Sequence, residues 1–176
     1  GKMSVSHGTD HKFLGMNIKY KGDGTASIFM PSYIEEAIDE SGLSINKQQP
    51  TPATSTLLRK NQDSPRLGKQ RSDTFHSIVA KLLYVATRGR SDILKALSFL
   101  CSRVSYPTQQ DESKLKRLLE YLWGTKNLDF VLGADSLNKF MTWVDASFAV
   151  HADMRSHTGG VISFGRGGLI CKSTRQ

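Results

Sequence analysis

Asp145 closes an apolar run, Phe140-Met141-Thr142-Trp143-Val144, and a carboxylate at such a place has two uses. It accepts backbone N–H bonds in a strand-end turn, or it ligates a hard divalent cation. Position alone favours the turn. Asp153 follows in a polar stretch with His151, Arg155 and His157. Two histidines with no cysteine nearby make a poor zinc signal and read as loop residues. Phosphodiester hydrolysis by paired divalent ions needs several carboxylates, because two ions ~4 Å apart must be held and balanced. After Glu120 the chain offers only Asp129, Asp135, Asp145 and Asp153, too few in that spacing to complete such a site. No G-x-x-x-x-G-K-[ST] run is present to cradle a nucleotide, and Gly165-Arg166-Gly167-Gly168 has the setting of a hairpin. No G-x-S-x-G frame holds a nucleophilic serine.

The second chemical signal is charge. The net charge is +8, and it is concentrated in the middle third: residues 59–126 carry 14 basic and 6 acidic side chains, whereas the flanking thirds are near balance. Concentrated positive charge suits a phosphate backbone, since each neutralised phosphate releases counterions. Arg88, Arg90, Lys114, Lys116, Arg117 and Lys126 are the candidate nucleic-acid contacts. The alternative for this charge is a solvated helical face. Tyr121, Trp123 and Phe130 stand nearby and could stack bases, although aromatics at a helix end more often belong to a core.

The elements that must position these groups follow from periodicity. Phe13, Leu14, Met16 and Ile18, then Ala26, Ile28 and Met30, flank the Gly-rich stretch Lys21-Gly22-Asp23-Gly24-Thr25 and predict a β-hairpin. Ile34, Ala37 and Ile38 predict a short amphipathic helix that stops at Ser41-Gly42. Residues 44–71 lack periodicity and contain Pro50, Pro52 and Pro65, the pattern of a mobile linker between two lobes. Three helices follow. Ser72 or Asp73 caps the first, with a stripe of Phe75, Ile78, Val79, Leu82 and Ala86; Ser91 or Asp92 caps the second, with Ile93, Leu97, Leu100 and Val104. Pro107 and Thr108 open the third, which carries Leu115, Leu118, Leu119 and Leu122 and stops at Gly124. Beyond it the period becomes two: a strand at Leu128–Leu132, another at Phe140–Val144, and a hairpin joining Val161–Phe164 to Leu169–Cys171. The class is α+β, divided as a hairpin and helix (1–43), a linker (44–71), a basic helical middle (72–126) and a small sheet (127–176).

Composition agrees with a globular chain, 38% hydrophobic and 23% charged. No apolar run approaches the ~18 residues of a membrane span, so no membrane partner is expected. Cys101 and Cys171 are too few for a disulfide scaffold and suit a reducing compartment. The first residue is Gly1 rather than Met, which suggests a processed chain or a piece of a longer one.

The order of short motifs resembles one family. Phe13-Leu14-Gly15 comes first, then Gln49-Pro50-Thr51-Pro52, Lys81-Leu82-Leu83-Tyr84 and Arg90-Ser91-Asp92-Ile93. Lys116 to Thr125 (Lys-Arg-Leu-Leu-Glu-Tyr-Leu-Trp-Gly-Thr), Val144-Asp145-Ala146-Ser147-Phe148-Ala149 and Asp153-Met154-Arg155-Ser156-His157-Thr158-Gly159-Gly160 complete it. This series is similar to the C-terminal part of the polyprotein of copia-type LTR retrotransposons, and it covers nearly the whole chain in register. The resemblance implies that Phe13, Leu14 and Gly15 lie at the end of a polymerase palm near the primer grip. It implies that residues 74–123 are thumb and connection helices, and that Asp145 is the first metal-binding carboxylate of a ribonuclease H domain. The partners so implied are an RNA–DNA hybrid or primed template and the remainder of the polyprotein. The cofactor is Mg²⁺ or Mn²⁺ in the parent enzyme, with none held stably by this chain. The setting is intracellular, in a cytoplasmic virus-like particle or the nucleus. The Tyr-Val-Asp-Asp turn of the polymerase is absent, and Lys172-Ser173-Thr174-Arg175-Gln176 is followed by none of the nuclease's later carboxylates. The expectation is therefore a fragment inactive alone that helps hold duplex. The alternatives are a non-catalytic nucleic-acid-binding module or a remnant without function. As a metal ligand, Asp145 should end a central strand facing a shallow pocket, with Met141 and Trp143 packed beneath it.

Overall fold

The computed structural model describes residues 5–151 and 153–176, and within them the fold is α+β, with four α-helices and two antiparallel sheets. The first apolar alternation resolves into three strands rather than two: β1 (Asp10–Phe13), β2 (Met16–Tyr20) and β3 (Ala26–Phe29). Leu14 and Gly15 join the first pair with φ of 49° and 77°, the backbone of a type I′ hairpin turn, whose twist matches that of the strands. A Cβ on Gly15 would stand 3.0 Å from Tyr33 Cδ2, so this turn needs glycine twice over.

α1 (Pro31–Ser41) starts with proline in its first turn and stops at Gly42, in the left-handed region. Its Ile34, Ala37 and Ile38 are buried. α2 (Lys69–Arg88) has its N-cap at Gly68, four residues before Ser72, so Ser72 and Asp73 lie inside the first turns rather than capping them. One 3-10 turn (Ser91–Ile93) leads into α3 (Leu94–Cys101), and α4 (Gln109–Gly124) opens with a capping box between Thr108 and Asp111. Leu82, Leu97, Leu118, Leu119 and Leu122 are fully buried where these helices meet. Burying a leucine contributes about 1.5–3 kcal/mol, which makes this cluster the main source of stability.

Residues 44–68 form no helix or strand, as their composition predicts, but they do not act as a spacer between lobes. Leu57 is buried in the helical core, with Ile45, Ala53, Leu58 and Leu67 packed against it. Leu67 N–H donates to Pro107 O (3.0 Å), and Gln109 N–H donates to Pro65 O (2.9 Å). The segment is a strap fastened along α4.

Five further strands follow: β4 (Phe130–Ala134), β5 (Met141–Ser147), β6 (His157–Ser163), β7 (Gly165–Arg166) and β8 (Ile170–Arg175). They do not form one sheet. β4 pairs with β3, and β7 pairs with β4, giving the order β1-β2-β3-β4-β7. The free edge of β3 offers unpaired backbone groups, and the chain leaving α4 meets that edge first. Only β5-β6-β8 make the second sheet, with Val161 opposite Cys171 and Ile162 opposite Ile170 as the hairpin pattern predicts. Gly167, with φ of 72°, brings this hairpin against β4 so closely that a Cβ there would overlap Val131 O. A division at residue 127 therefore does not separate the two sheets.

Candidate nucleic-acid interface

β5 runs through Asp145 to Ser147, so Asp145 sits inside the strand, opposite Gly159, and not at its end. β5 is also an edge strand, which corrects the expectation of a central one. Trp143 is 54% exposed, so the residues sharing Asp145's face are not packed beneath it. The Asp145 carboxylate is exposed and accepts no hydrogen bond from the described residues, so it does not form the strand-end turn either. Among the described residues no three His, Cys, Asp or Glu side chains gather where a metal could be held. The donors present among the described residues do not fit a two-metal centre.

The six basic candidates divide sharply. Arg90 is 3% exposed. Its Nε and Nη2 donate to the two Asp92 oxygens at 2.9 and 2.8 Å, and Nη1 and Nη2 donate to Thr125 O and Oγ1 at 2.9 and 2.7 Å. Burial alone would raise the Asp92 carboxyl, but hydrogen bonds from Arg90 and Tyr121 outweigh it and hold Asp92 below its ordinary value. Arg90 is thus a buried clamp, with four of its five N–H donors used inside the fold. Lys114 donates to Leu57 O (2.8 Å) and Arg59 O (2.6 Å) and lies 4.2 Å from the Phe99 ring centre. Burial depresses its ammonium pKa. Lys126 is neutralised by Glu35 at 2.6 Å and stacks on Trp123, and Arg117 reaches Thr51 Oγ1 at 3.0 Å. Arg88 is exposed beside the Tyr84 ring, and Lys116 has no ion-pair partner among the described residues. Arg88 and Lys116 stand open to a polyanion, and Arg117 keeps a charge that no carboxylate of the described residues neutralises.

Phe13, Leu14 and Gly15 form the exposed tip of the β1–β2 hairpin. Tyr84 Oη donates to Leu14 O at 2.7 Å, and Tyr33 packs against Tyr84 with ring centres 5.4 Å apart. Lys81 spans from α2 to Glu40 (2.7 Å) and Glu36 (3.3 Å) on α1. Two apolar side chains are therefore presented to solvent on a turn that α1 and α2 hold in place.

The two histidines that the sequence suggests are loop residues form a second, buried cluster. His151 and His157 are buried, with His151 Nε2 3.1 Å from His157 Nδ1, and His157 Nε2 lies 2.7 Å from Ser173 Oγ. Burial lowers both pKa values; the neighbouring His157, Arg175 and Lys60 lower His151 further, and Lys95 lowers His157. Asp153 is held by Arg155 and Arg175. The histidines lie six positions apart across a turn, which suits neither helical nor strand periodicity, so the sequence carried no pairing signal. His151 also lines a cavity of about 660 Å³ with Thr54, Ser55, Arg59, Asp92 and Lys95.

The chain is similar to a protein of Saccharomyces cerevisiae named for the transposon Ty5-1, 28% identical over 165 residues. That match covers 94% of the chain and 53% of the relative. It is also similar to an uncharacterized mitochondrial protein of Arabidopsis thaliana, 29% identical over 157 residues, 89% of the chain and 63% of the relative. The chain thus spans between about half and two thirds of the length of these relatives. No protein-family model matches it, and no solved structure matches it.

Proposed function

We propose that this chain is a segment of a retrotransposon polyprotein, from the region where reverse transcriptase passes into ribonuclease H, and that it helps hold the template–primer duplex without catalysing a reaction. The observation that carries the reading is the near end-to-end match to a transposon-named relative, in which the ordered motifs from Phe13-Leu14-Gly15 to His157-Thr158-Gly159-Gly160 all fall. The excess of positive charge over residues 59–126 supplies the attraction for a polyanion. Mg²⁺ or Mn²⁺ belongs on this reading to the parent enzyme, and the setting is an intracellular particle or the nucleus. No helix of the described residues is long and apolar enough to cross a membrane.

Two measurements test this. Fluorescence anisotropy with an RNA–DNA hybrid should show binding that weakens steeply with salt, by about 0.9 in log K per log unit of salt for each phosphate contacted. A flat salt dependence would remove the duplex-holding role. Incubation of the chain with Mg²⁺ or Mn²⁺ and the hybrid, or a primed template, should give no cleavage or extension. Turnover abolished by Asp145→Asn would show instead that a nuclease centre assembles here.

A further inference from the structure

The cavity beside His151 lies between the strap at residues 52–59, the start of α3, and the loop that precedes β6. Its charged lining is unbalanced. Arg59 and Lys95 are exposed and form no ion pair with the described residues. The one carboxylate in the wall, Asp92, is already taken by both arms of Arg90 and by Tyr121. Lys60 and Arg175 add positive charge near His151. Lys60 is held below its ordinary value by burial first and then by the positive charges of Arg103 and Arg175. The remaining nearby carboxylates are also engaged: Asp111 by Arg103, and Asp153 by Arg155 and Arg175.

His151 brings an imidazole edge to the same cavity. It is 6% exposed, its Nε2 is occupied by His157, and its Nδ1 has no partner among the described residues. Thr54 and Ser55 place two hydroxyls in the same wall. Two cations, the Ser55 hydroxyl, the Thr54 hydroxyl already paired with Thr56, and an open imidazole edge suit an anion with several acceptor oxygens.

We infer that this cavity is a phosphate-binding site that takes a backbone phosphodiester of the bound duplex, with Arg59 and Lys95 as its charged contacts and His151 Nδ1 as a further donor. The occupant's identity as duplex rests on the duplex-holding reading above; the cavity's preference for phosphate does not. The charged and titratable groups around His151 are Arg59, Asp92 in the 3-10 turn and Lys95 on α3, which share its cavity, then Lys60 from the strap, His157 on β6 and Arg175 on β8, with Asp153 and Arg155 in its own loop. Every carboxylate among them is paired, so a bound phosphate is the group that favours a proton on His151. Phosphate binding and His151 protonation therefore strengthen each other.

The test uses the full chain in two arms. Histidine NMR titrations with and without inorganic phosphate should show the His151 midpoint rising when phosphate is present. In hybrid binding, Arg59→Glu and Lys95→Glu should each weaken affinity and lower the salt slope by about 0.9. Both side chains are exposed and make no internal bonds, so the variants are expected to fold, and circular dichroism checks that they do. If phosphate leaves His151 unmoved and the hybrid binds both variants like the parent chain, the cavity inference is overturned while duplex binding stands. If phosphate moves His151 but no hybrid binds, the cavity stands and the duplex-holding reading falls.

Discussion

Arg90 lies within one of the motifs that carry the family resemblance, and the structure shows what that motif is for. Its guanidinium joins the end of α2 to Asp92 in the following turn and to Thr125 beyond α4, while Tyr121 of α4 closes the ring by donating to Asp92 at 2.7 Å. Two motif segments, 90–93 and 116–125, meet in this one network. Lys81 and Tyr84, from another, tie α2 to α1 and to the hairpin tip. Much of the recognisable pattern is therefore joinery between elements. Arg90→Ala should destabilise the chain by about 3 kcal/mol or more, because it strands a carboxylate whose partner was buried; urea unfolding measures this. The pH dependence has a definite sign. Asp92 is held below its ordinary carboxyl value, so its contribution is complete above about pH 4 and is lost as pH falls through its lower, folded value. Unfolding curves between pH 5 and pH 2 should show this acid loss in the parent chain and a shallower one in Arg90→Ala.

At the scale of elements, the helices were legible because each has a continuous apolar stripe with a recognisable start or stop. Phe75, Ile78, Val79, Leu82 and Ala86 are all buried as their spacing requires. The strands were legible as strands but not as sheets. Alternation in Phe130, Val131 and Leu132 shows a half-buried segment, yet its partner is β3, about a hundred residues earlier, and local sequence holds no record of such a pairing. The same limit hid the surroundings of Asp145, whose edge position depends on where β4 goes. The internal partners of Lys114 and Lys126 were hidden for a related reason, since the strap carbonyls and Glu35 that they bond lie far away in sequence. The β1–β2 turn is the element most sensitive to a single change. Gly15→Ala must place a Cβ at φ of 77° and against Tyr33, so a loss of about 1–2 kcal/mol is expected, with weakened packing of Tyr84 on the tip. Thermal unfolding of that variant, set beside Gly22→Ala, whose added Cβ meets nothing within 4 Å, separates the turn's requirement from general glycine effects.

At the scale of the whole molecule, the helical core and the β5-β6-β8 sheet are unequally secured. The helices share a continuous leucine-rich cluster, whereas the sheet leaves Val144 and Phe148 largely exposed, the latter at 87%, and meets the helical body where α3 packs against β8. The His151–His157–Ser173 chain lies close to that contact and joins the loop, β6 and β8. Both histidines have folded pKa values below the ordinary imidazole value of 6.5, because burial and nearby cations oppose their charging. The unfolded chain then takes up protons before the folded one does. This contribution is fully present above about pH 6.5 and is lost as pH falls from there toward the lower folded values. The loss should be local, since α2 and α4 share no hydrogen bond with the pair. Hydrogen exchange, corrected for intrinsic rates, should therefore show β6 and β8 amides losing protection between pH 7 and pH 5 while α2 and α4 keep theirs. His157→Gln, which retains hydrogen-bonding groups but cannot charge, should flatten that pH dependence. Equal loss of protection in helices and sheet would mean that the two parts unfold as one unit, and that the histidine pair does not govern the sheet's attachment.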